Sequence, residues 1–337
     1  MTSSTICSTT DAARLAAALL GQAVDQAVPV AGGGNNRLFR ITAADQTCHA
    51  LKFYPHQEQD PRDRLGQEFE FLGFLNRQGV KGVPLALAAD RNNHCALYNW
   101  IVGVTIHAPG PEEIDAMLVF LEQLHIWRHA PDAQQLATAS DNCFSAQAVV
   151  SQLSRRLARC WEVATTEPVL HDFLEAEFTP VSRKILLQLR DMPGFSQPIP
   201  VMARTLSPSD FGLHNALRRP DDGIVFLDFE YAGWDDPAKL VADVIWHPGT
   251  DLPEDLAERF SHGAKKIYDT GGVWGFGQRF ARLFPVFGLV WCLILLNEFL
   301  PERWQRRVLA GREGSREDIL CQQLEKARWR LEKIEKN

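Results

Sequence analysis

The sequence lacks the cysteine patterns and the basic charge that identify several large classes of protein. Its seven cysteines are scattered, without a C-x-x-C pair or a histidine-spaced cluster, so we expect neither a zinc site nor a disulfide framework. Unpaired cysteines fit a reduced, cytoplasmic compartment. The net charge of −7 at pH 7 argues against nucleic acid as a partner, because proteins that bind it carry basic patches.

The sequence also lacks a long apolar run. Its most apolar segment, residues 283–296, is interrupted by Pro285 and is shorter than the roughly 20 apolar residues that a membrane-spanning helix needs. We therefore predict a buried helix at this position, and no membrane partner.

The N-terminal residues do not have the pattern of a signal peptide. No basic stretch precedes their apolar residues, and Asp11 and Arg14 interrupt them. Thr10-Asp11 is typical of a helix cap. The helix that it predicts carries three apolar residues on one face, namely Leu15, Leu19 and Val24.

The pattern of the chain changes from strands to helices near residue 101. Short or alternating apolar runs predict strands at 28–31, 38–42, 48–54, 83–88 and 95–101. Leucines at helical spacing predict one helix, over residues 62–77, within this strand-rich part. Further along, helices are predicted at 111–129, 145–164, 170–189 and 315–337, with others beginning at 237, 253 and 277.

The segment from Leu206 to Pro237 carries the most specific pattern. Asp210 is followed by Asn215, and Asp228 stands thirteen residues later, after an apolar run. Phosphoryl transfer uses such a set: one carboxylate orients the attacking hydroxyl, while an amide and a second carboxylate hold Mg²⁺. The segment therefore indicates a phosphotransferase.

This order of D-x4-N, a short hairpin and a strand that ends in Asp resembles the aminoglycoside phosphotransferase and choline kinase family. The resemblance implies an α+β, bilobal protein-kinase-like fold. Its small β-rich N-lobe would span residues 1–101, and its larger, mostly helical C-lobe residues 102–337. ATP and Mg²⁺ are the cofactors that it implies.

The resemblance also assigns roles in catalysis and metal binding. Asp210 is the catalytic residue that orients or deprotonates the acceptor hydroxyl, and Asn215 and Asp228 are the Mg²⁺ ligands. Glu230 is a candidate to reach a metal-bound water or a substrate group. Oxygen and amide ligands of this kind suit Mg²⁺.

A second set of residues is predicted to bind the nucleotide. Lys52 lies within a strand pattern and resembles the lysine that neutralises the α- and β-phosphates. Glu68, sixteen residues later on the predicted helix, would orient it, whereas Glu70 would face elsewhere. The family's hinge, which reads the adenine, falls near Asn99 and Trp100. A turn of glycines and asparagine would approach the phosphates through its backbone, and its residues are Gly32, Gly33, Gly34 and Asn35.

The sequence departs from the family at two places. Pro208 and Ser209 stand where the family has His-Gly before the catalytic Asp, which puts the geometry of that loop in question. After Asp236 the family's usual second Asp is missing. Asp243, one turn further along, is predicted to take over its bracing role through i,i+4 geometry.

The acceptor site is expected among the C-terminal helices. Candidate residues are polar groups at related helical positions or within apolar sequence, namely Arg279, Arg282, Trp291 and Asn297. Two alternatives stay open: Trp291 as a core residue, and Asn297 as a helix cap before Pro301.

These features together predict an ATP- and Mg²⁺-dependent phosphotransferase that acts on a hydroxyl of a small polar metabolite. A sugar, an aminoglycoside-like compound or an amino alcohol would fit. One alternative is a nucleotide-binding pseudokinase. A protein Ser/Thr kinase is a weaker alternative, since no Asp-Phe-Gly and Ala-Pro-Glu pair marks the region after Asp228.

Overall fold

A computed structural model describes residues 8–30, 36–55, 62–269, 275–304 and 315–336. The chain divides into two compact units. The first comprises Met1–Ser140 and Pro208–Gly233, and the second comprises Asp141–Ser207 and Trp234–Asn337. The two units are defined by which residues pack together. The lobe boundary expected between residues 101 and 102 stays a prediction.

The first unit is built on an antiparallel five-stranded sheet with strand order β1-β2-β3-β5-β4. Its strands are β1 (Val24–Val30), β2 (Arg37–Ala43), β3 (Cys48–Phe53), β4 (Ala86–Asp90) and β5 (Cys95–Asn99). Two helices accompany them, α1 (Thr9–Leu20) and α2 (Arg64–Arg77). Lys52 lies in β3, opposite Leu38 of β2 and Ala96 of β5.

Helix α1 begins and ends differently from the prediction. Ser8 is the N-cap, and its side chain and that of Asp11 form a reciprocal capping box. Gly21 ends the helix in the left-handed conformation at φ 67°. The placement of Val24 on the helix face is therefore wrong, because Val24 is the first residue of β1.

Strand β4 lies later in the chain than the predicted strand at 83–88. Pro84 has no amide hydrogen for a ladder, and its carbonyl instead accepts a hydrogen bond from Asn76 Nδ2 at 3.0 Å. Pairing with β5 therefore begins at Ala86, which lies opposite Tyr98.

The rest of the first unit supports the segment with the D-x4-N pattern. It contains α3 (Pro111–Trp127) and a three-stranded sheet in the order β6-β8-β9, with β6 at Val104–Thr105, β8 at Ala216–Arg218 and β9 at Ile224–Phe226. Phe120 of α3 packs its ring against three phenylalanines of that segment, Phe211, Phe226 and Phe229. This buried aromatic group fixes both ends of the segment on one helix.

The second unit is mostly helical. Its helices are α4 (Ala146–Ala164), α5 (Pro168–Asp172), α6 (Thr179–Gln188), α7 (Pro237–Trp246), α8 (Glu254–Tyr268), α9 (Phe276–Leu295) and α10 (Arg316–Lys336). It also contains the short strand β7 (Thr205–Ser207), while the short strand β10 (Gly233–Asp235) begins at the last residue of the first unit. The single helix predicted at 170–189 is instead divided by a π-helical turn at Phe173–Phe178. Pro180 explains the division, because a proline cannot donate the helical hydrogen bond to the preceding turn.

Within the described ranges, one helical stretch, Phe276–Phe299, is long and apolar enough to cross a membrane. Its residues Leu283, Val286 and Phe287 are buried in the main hydrophobic core of the second unit. More than half of its most apolar window is buried inside the protein. This is the placement of a core helix, as predicted for residues 283–296.

Candidate active site

Lys52 lies between two carboxylates of the first unit. Its Nζ atom is 2.6 Å from Oε2 of Glu68 and 2.7 Å from Oδ1 of Asp228. The pairing predicted between Lys52 and Glu68 is therefore present. Glu70 is exposed and pairs with Arg91 at 2.8 Å, so the prediction that it faces elsewhere is also confirmed.

Glu68 is held more firmly than Asp228. Its side chain is only 4% exposed, against 34% for Asp228. Besides Lys52, the Tyr54 hydroxyl donates to Oε2 at 2.7 Å, and the amide of Phe229 donates to Oε1 at 3.2 Å. Both carboxylate oxygens of Glu68 are thus occupied by donors, which fixes its orientation.

Burial and charge act against each other at this cluster. Burial alone would lower the pKa of Lys52, but Glu68 and Asp228 outweigh it, so that the pKa lies above its ordinary value. Burial raises the pKa of Glu68, although the Lys52 charge opposes this. Lys52 stays protonated as a result.

Three acidic side chains gather around this lysine. Glu68, Asp228 and Glu230 each offer one oxygen, and these oxygens lie within 4.8 Å of one another. Such hard oxygen donors fit Mg²⁺. Lys52 and Arg64, which pairs with Glu230 at 3.3 Å, leave one of the three negative charges for a bound cation to balance.

The backbone is strained at both ends of the motif. Asp228 has φ 64° and Ser209 has φ 69°, in the left-handed region that residues other than glycine rarely adopt. At position 209 the resembled family has glycine, for which this conformation carries no steric penalty. The loop before Asp210 therefore adopts a glycine-like conformation although it carries serine.

The D-x4-N segment closes on itself through hydrogen bonds. Asn215 Nδ2 donates to the backbone oxygen of Asp210 at 3.0 Å, and the amide of Leu227 donates to the backbone oxygen of Asn215 at 2.8 Å. His214 Nε2 lies 3.2 Å from Oδ1 of Asp210. No role was predicted for His214, although its spacing of four residues from Asp210 is a usable signal.

Glu230 is buried and holds two parts of the first unit together. It is 2% exposed. Asn36 Nδ2 donates to its Oε2 at 2.8 Å, and Arg64 Nη1 pairs with its Oε1 at 3.3 Å. Asn36 and Arg64 were also missed, since nothing in their local sequence indicates this contact. The predicted phosphate-binding residues Gly32, Gly33, Gly34 and Asn35 lie outside the described residues.

The predicted hinge residues follow or end β5. The Asn99 side chain accepts a hydrogen bond from the amide of Leu85 at 2.6 Å. The Trp100 amide donates to the backbone oxygen of Cys48 at 3.2 Å, and the Arg40 guanidinium lies 5.4 Å from the Trp100 ring centroid. Their role in adenine binding stays a prediction.

A buried polar network occupies the start of α7 in the second unit. Lys239 Nζ lies 2.7 Å from Asp243 and 3.2 Å from Asp235. Trp291 Nε1 donates to Asp243 at 2.8 Å. Asp243 thus makes an i,i+4 contact with Lys239, and its bracing role stays a prediction.

Two of the four acceptor candidates pair with carboxylates of α7 or of its N-cap, Asp236. Trp291 is one, and Arg279 is the other, since its Nη2 lies 2.6 Å from Oδ2 of Asp236. Arg282 is exposed, and Asn297 lies half-buried in a 3₁₀ turn at Leu296–Phe299. An acceptor role for all four residues stays a prediction.

The fold and the D-x4-N segment define a class, the phosphotransferases with a protein-kinase-like fold. Residues 26–279 match the model of the phosphotransferase enzyme family, APH. Because this match covers more than half of the chain, the protein belongs to that family and is a phosphotransferase enzyme. A search of curated protein sequences found no significant match to the chain.

Solved structures of similar fold include several kinases of small molecules. A spectinomycin phosphotransferase in complex with ADP and spectinomycin is 13% identical, with a TM-score of 0.62 and coverage of 98% of this chain and 99% of its own. A choline kinase from Streptococcus pneumoniae is 14% identical, with a TM-score of 0.57 and coverage of 95% and 97%. A macrolide 2′-phosphotransferase from Brachybacterium faecium is 16% identical, with a TM-score of 0.57 and coverage of 90% and 99%. At these identities the likeness concerns the fold.

Proposed function

We propose that this enzyme transfers the γ-phosphate of ATP, with Mg²⁺, to a hydroxyl of a small polar metabolite. A sugar, an aminoglycoside-like compound or an amino alcohol fits the proposal, and the site would operate in the cytoplasm. The observation that carries it is Lys52, held by Glu68 and paired with Asp228. This is the arrangement of a phosphate-binding cation next to a metal-binding carboxylate.

The two carboxylates that contact Lys52 are held to different degrees, and this difference decides which of them keeps the lysine when a nucleotide binds. Glu68 accepts from Lys52, Tyr54 and the amide of Phe229, so it keeps its place when a ligand enters. Asp228 is partly exposed and is free to exchange Lys52 for a metal ion. Lys52 would then stay on Glu68 and bind the α- and β-phosphates.

Bound Mg²⁺ would neutralise the charge of the phosphates, and Asn215 and Asp228 are the residues that would hold it. Asp210 would orient the acceptor hydroxyl and accept its proton. His214 contacts Asp210 and would fix the direction of that carboxylate. It would therefore replace, in part, the bracing histidine that the family carries before the catalytic Asp.

The alternative of an inactive, nucleotide-binding protein is less well supported. The departures at Pro208 and Ser209 affect the approach to Asp210. The hydrogen bonds of Asn215 and Leu227 nonetheless close the loop after it, and the complete set of Lys52, Asp210, Asn215 and Asp228 is present.

The experiment that tests the proposal has two parts. Titration calorimetry with ATP and Mg²⁺ should show binding, and nucleotide at about 100 times its Kd should stabilise the fold by roughly 2.7 kcal/mol. Labelled ATP is then offered with an acceptor panel that includes choline and spectinomycin, the compounds in the names of the similar structures, and simple sugars. An Asp210→Asn variant is the control for transfer. Absence of all nucleotide binding in the presence of Mg²⁺ would rule the proposal out.

A further inference from the structure

The second unit contains a cavity whose lining includes none of the residues predicted to bind phosphate, metal or acceptor. Its volume is about 520 Å³. Helix α10 contributes most of its lining, and the segment after α7 and the end of α9 contribute the rest. The lining residues are Pro248, Asp251, Leu295, Gln322, Glu325, Lys326, Trp329 and Arg330.

Arg330 is the buried charge of this cavity. It is 5% exposed, and its Nε and Nη1 atoms are themselves buried and have no hydrogen-bond partner among the described residues. Its guanidinium lies 5.9 Å from the ring centroid of Trp246. Burial lowers the pKa of Arg330, which Cys292 and Asp251 oppose. A buried guanidinium with unused donors is costly unless an anion satisfies it.

The other walls of the cavity are apolar or of mixed charge. Pro248, Leu295 and the half-exposed indole of Trp329 offer apolar surface. Lys326 adds a second positive charge at the exposed rim, while Asp251 and Glu325 are exposed carboxylates there. The two rim carboxylates would repel a dianion such as phosphate more than a single carboxylate.

We propose that this cavity binds a small organic carboxylate, with the carboxylate on the Arg330 guanidinium and an apolar body against Pro248, Leu295 and Trp329. A guanidinium donates charge-assisted hydrogen bonds to a carboxylate. The carboxylate could belong to a simple organic acid or to an amino acid. In the second case, the ammonium group would face Asp251 and Glu325.

The test uses titration calorimetry on the full-length protein at constant ionic strength, with phenylacetate, phenylalanine and inorganic phosphate as probes. We expect phenylacetate or phenylalanine to bind at least about tenfold more tightly than phosphate. Glu325→Gln distinguishes an amino acid ligand from a simple organic acid, since it should weaken the binding of phenylalanine but not that of phenylacetate. Binding of phosphate alone, or of none of the three probes, would refute the proposal.

Variants locate the binding. Arg330→Gln should weaken the carboxylate about tenfold or more, and thermal melting shows whether that variant is folded. If Arg330→Gln does not fold, two substitutions at exposed positions still test the proposal. Gln322→Trp should fill the cavity and abolish binding, and Lys326→Glu should weaken the binding of the carboxylate. Arg328→Gln is the matched control, because Arg328 lies on the same helix but pairs with Glu177 at 2.8 Å. Equal affinity in all four variants would show that the probe binds elsewhere.

Discussion

The Nζ atom of Lys52 lies 2.7 Å from Oδ1 of Asp228, so the predicted phosphate-binding cation and the predicted metal-binding carboxylate are paired with each other. Any ligand that uses both groups must open this pair. Glu68 keeps Lys52 in place meanwhile, because its own oxygens are held by Tyr54 and the amide of Phe229. A ligand that enters the site must therefore break the contact of Lys52 with Asp228, while the contact with Glu68 is kept.

The roles of the two aspartates can be separated by substitution. Asp228→Asn should weaken Mg²⁺-dependent nucleotide binding, because it removes charge from the metal site. Asp210→Asn should leave nucleotide binding near that of the wild type and abolish transfer. Calorimetry with and without Mg²⁺, together with a transfer assay, measures both effects. Unchanged slow ATP hydrolysis in both variants would show that the assigned roles are wrong.

A double-mutant cycle tests whether Lys52 and Glu68 act as one unit. Lys52→Met and Glu68→Gln should be strongly non-additive in kcat/KM, since each removes the same phosphate-positioning pair. Glu70→Gln is the matched control, because Glu70 is on the same helix but pairs with Arg91. It should combine additively with Lys52→Met. The reverse result, additivity at Glu68 and coupling at Glu70, would overturn the assignment.

Two arginines of α9 should differ in their effect on stability. Arg279→Met leaves the buried carboxylate of Asp236 without its partner, which should lower the free energy of unfolding by about 3–5 kcal/mol. Arg282 is exposed, and Arg282→Met should change the free energy of unfolding by less than about 0.5 kcal/mol. Urea unfolding measures both. Equal, small effects would mean that the Arg279–Asp236 pair contributes little to the fold.

The stability of the protein should depend on pH through Asp235. Burial raises the pKa of this carboxyl from 3.8 to about 6, although Lys239 opposes the shift. Because the pKa is raised on folding, its stabilising contribution is complete below the unfolded value and is lost as the pH rises through about 6. Between about pH 4.5 and 6.5, the wild type should lose ~2 kcal/mol relative to Asp235→Asn. Urea unfolding at both pH values checks this, and a constant difference between the two proteins would contradict it.

Part of the site follows from local sequence patterns. Helical spacing places Glu68 and Glu70 on different faces of α2, since residues two positions apart in an α-helix are rotated by about 200° from each other. The family resemblance named Glu68 as the partner of Lys52, and helical spacing set Glu70 apart from it. The positions of Asp210, Asn215 and Asp228 likewise follow from one short segment, in which few residues separate the groups.

Other contacts depend on the meeting of distant segments. Tyr54, directly after β3, reaches Glu68 of α2, and Asn36 reaches Glu230 across 194 residues of sequence. The predicted starts of α1 and β4 were wrong for a local reason. Ser8 caps α1 through Asp11, and the Pro84 carbonyl accepts a hydrogen bond from Asn76. The pattern of apolar residues records neither contact.

The sequence by itself determined the change from strands to helices along the chain and the D-x4-N segment, because these depend on periodicity and short spacing. The Lys52–Glu68 pair followed from the family resemblance. Only the tertiary structure decided how Arg279 and Trp291 are used. Their partners, Asp236 and Asp243, are 43 and 48 residues away in the chain. A buried charge or indole N–H must find a partner, but sequence does not record which one the packing of α7 against α9 brings within reach.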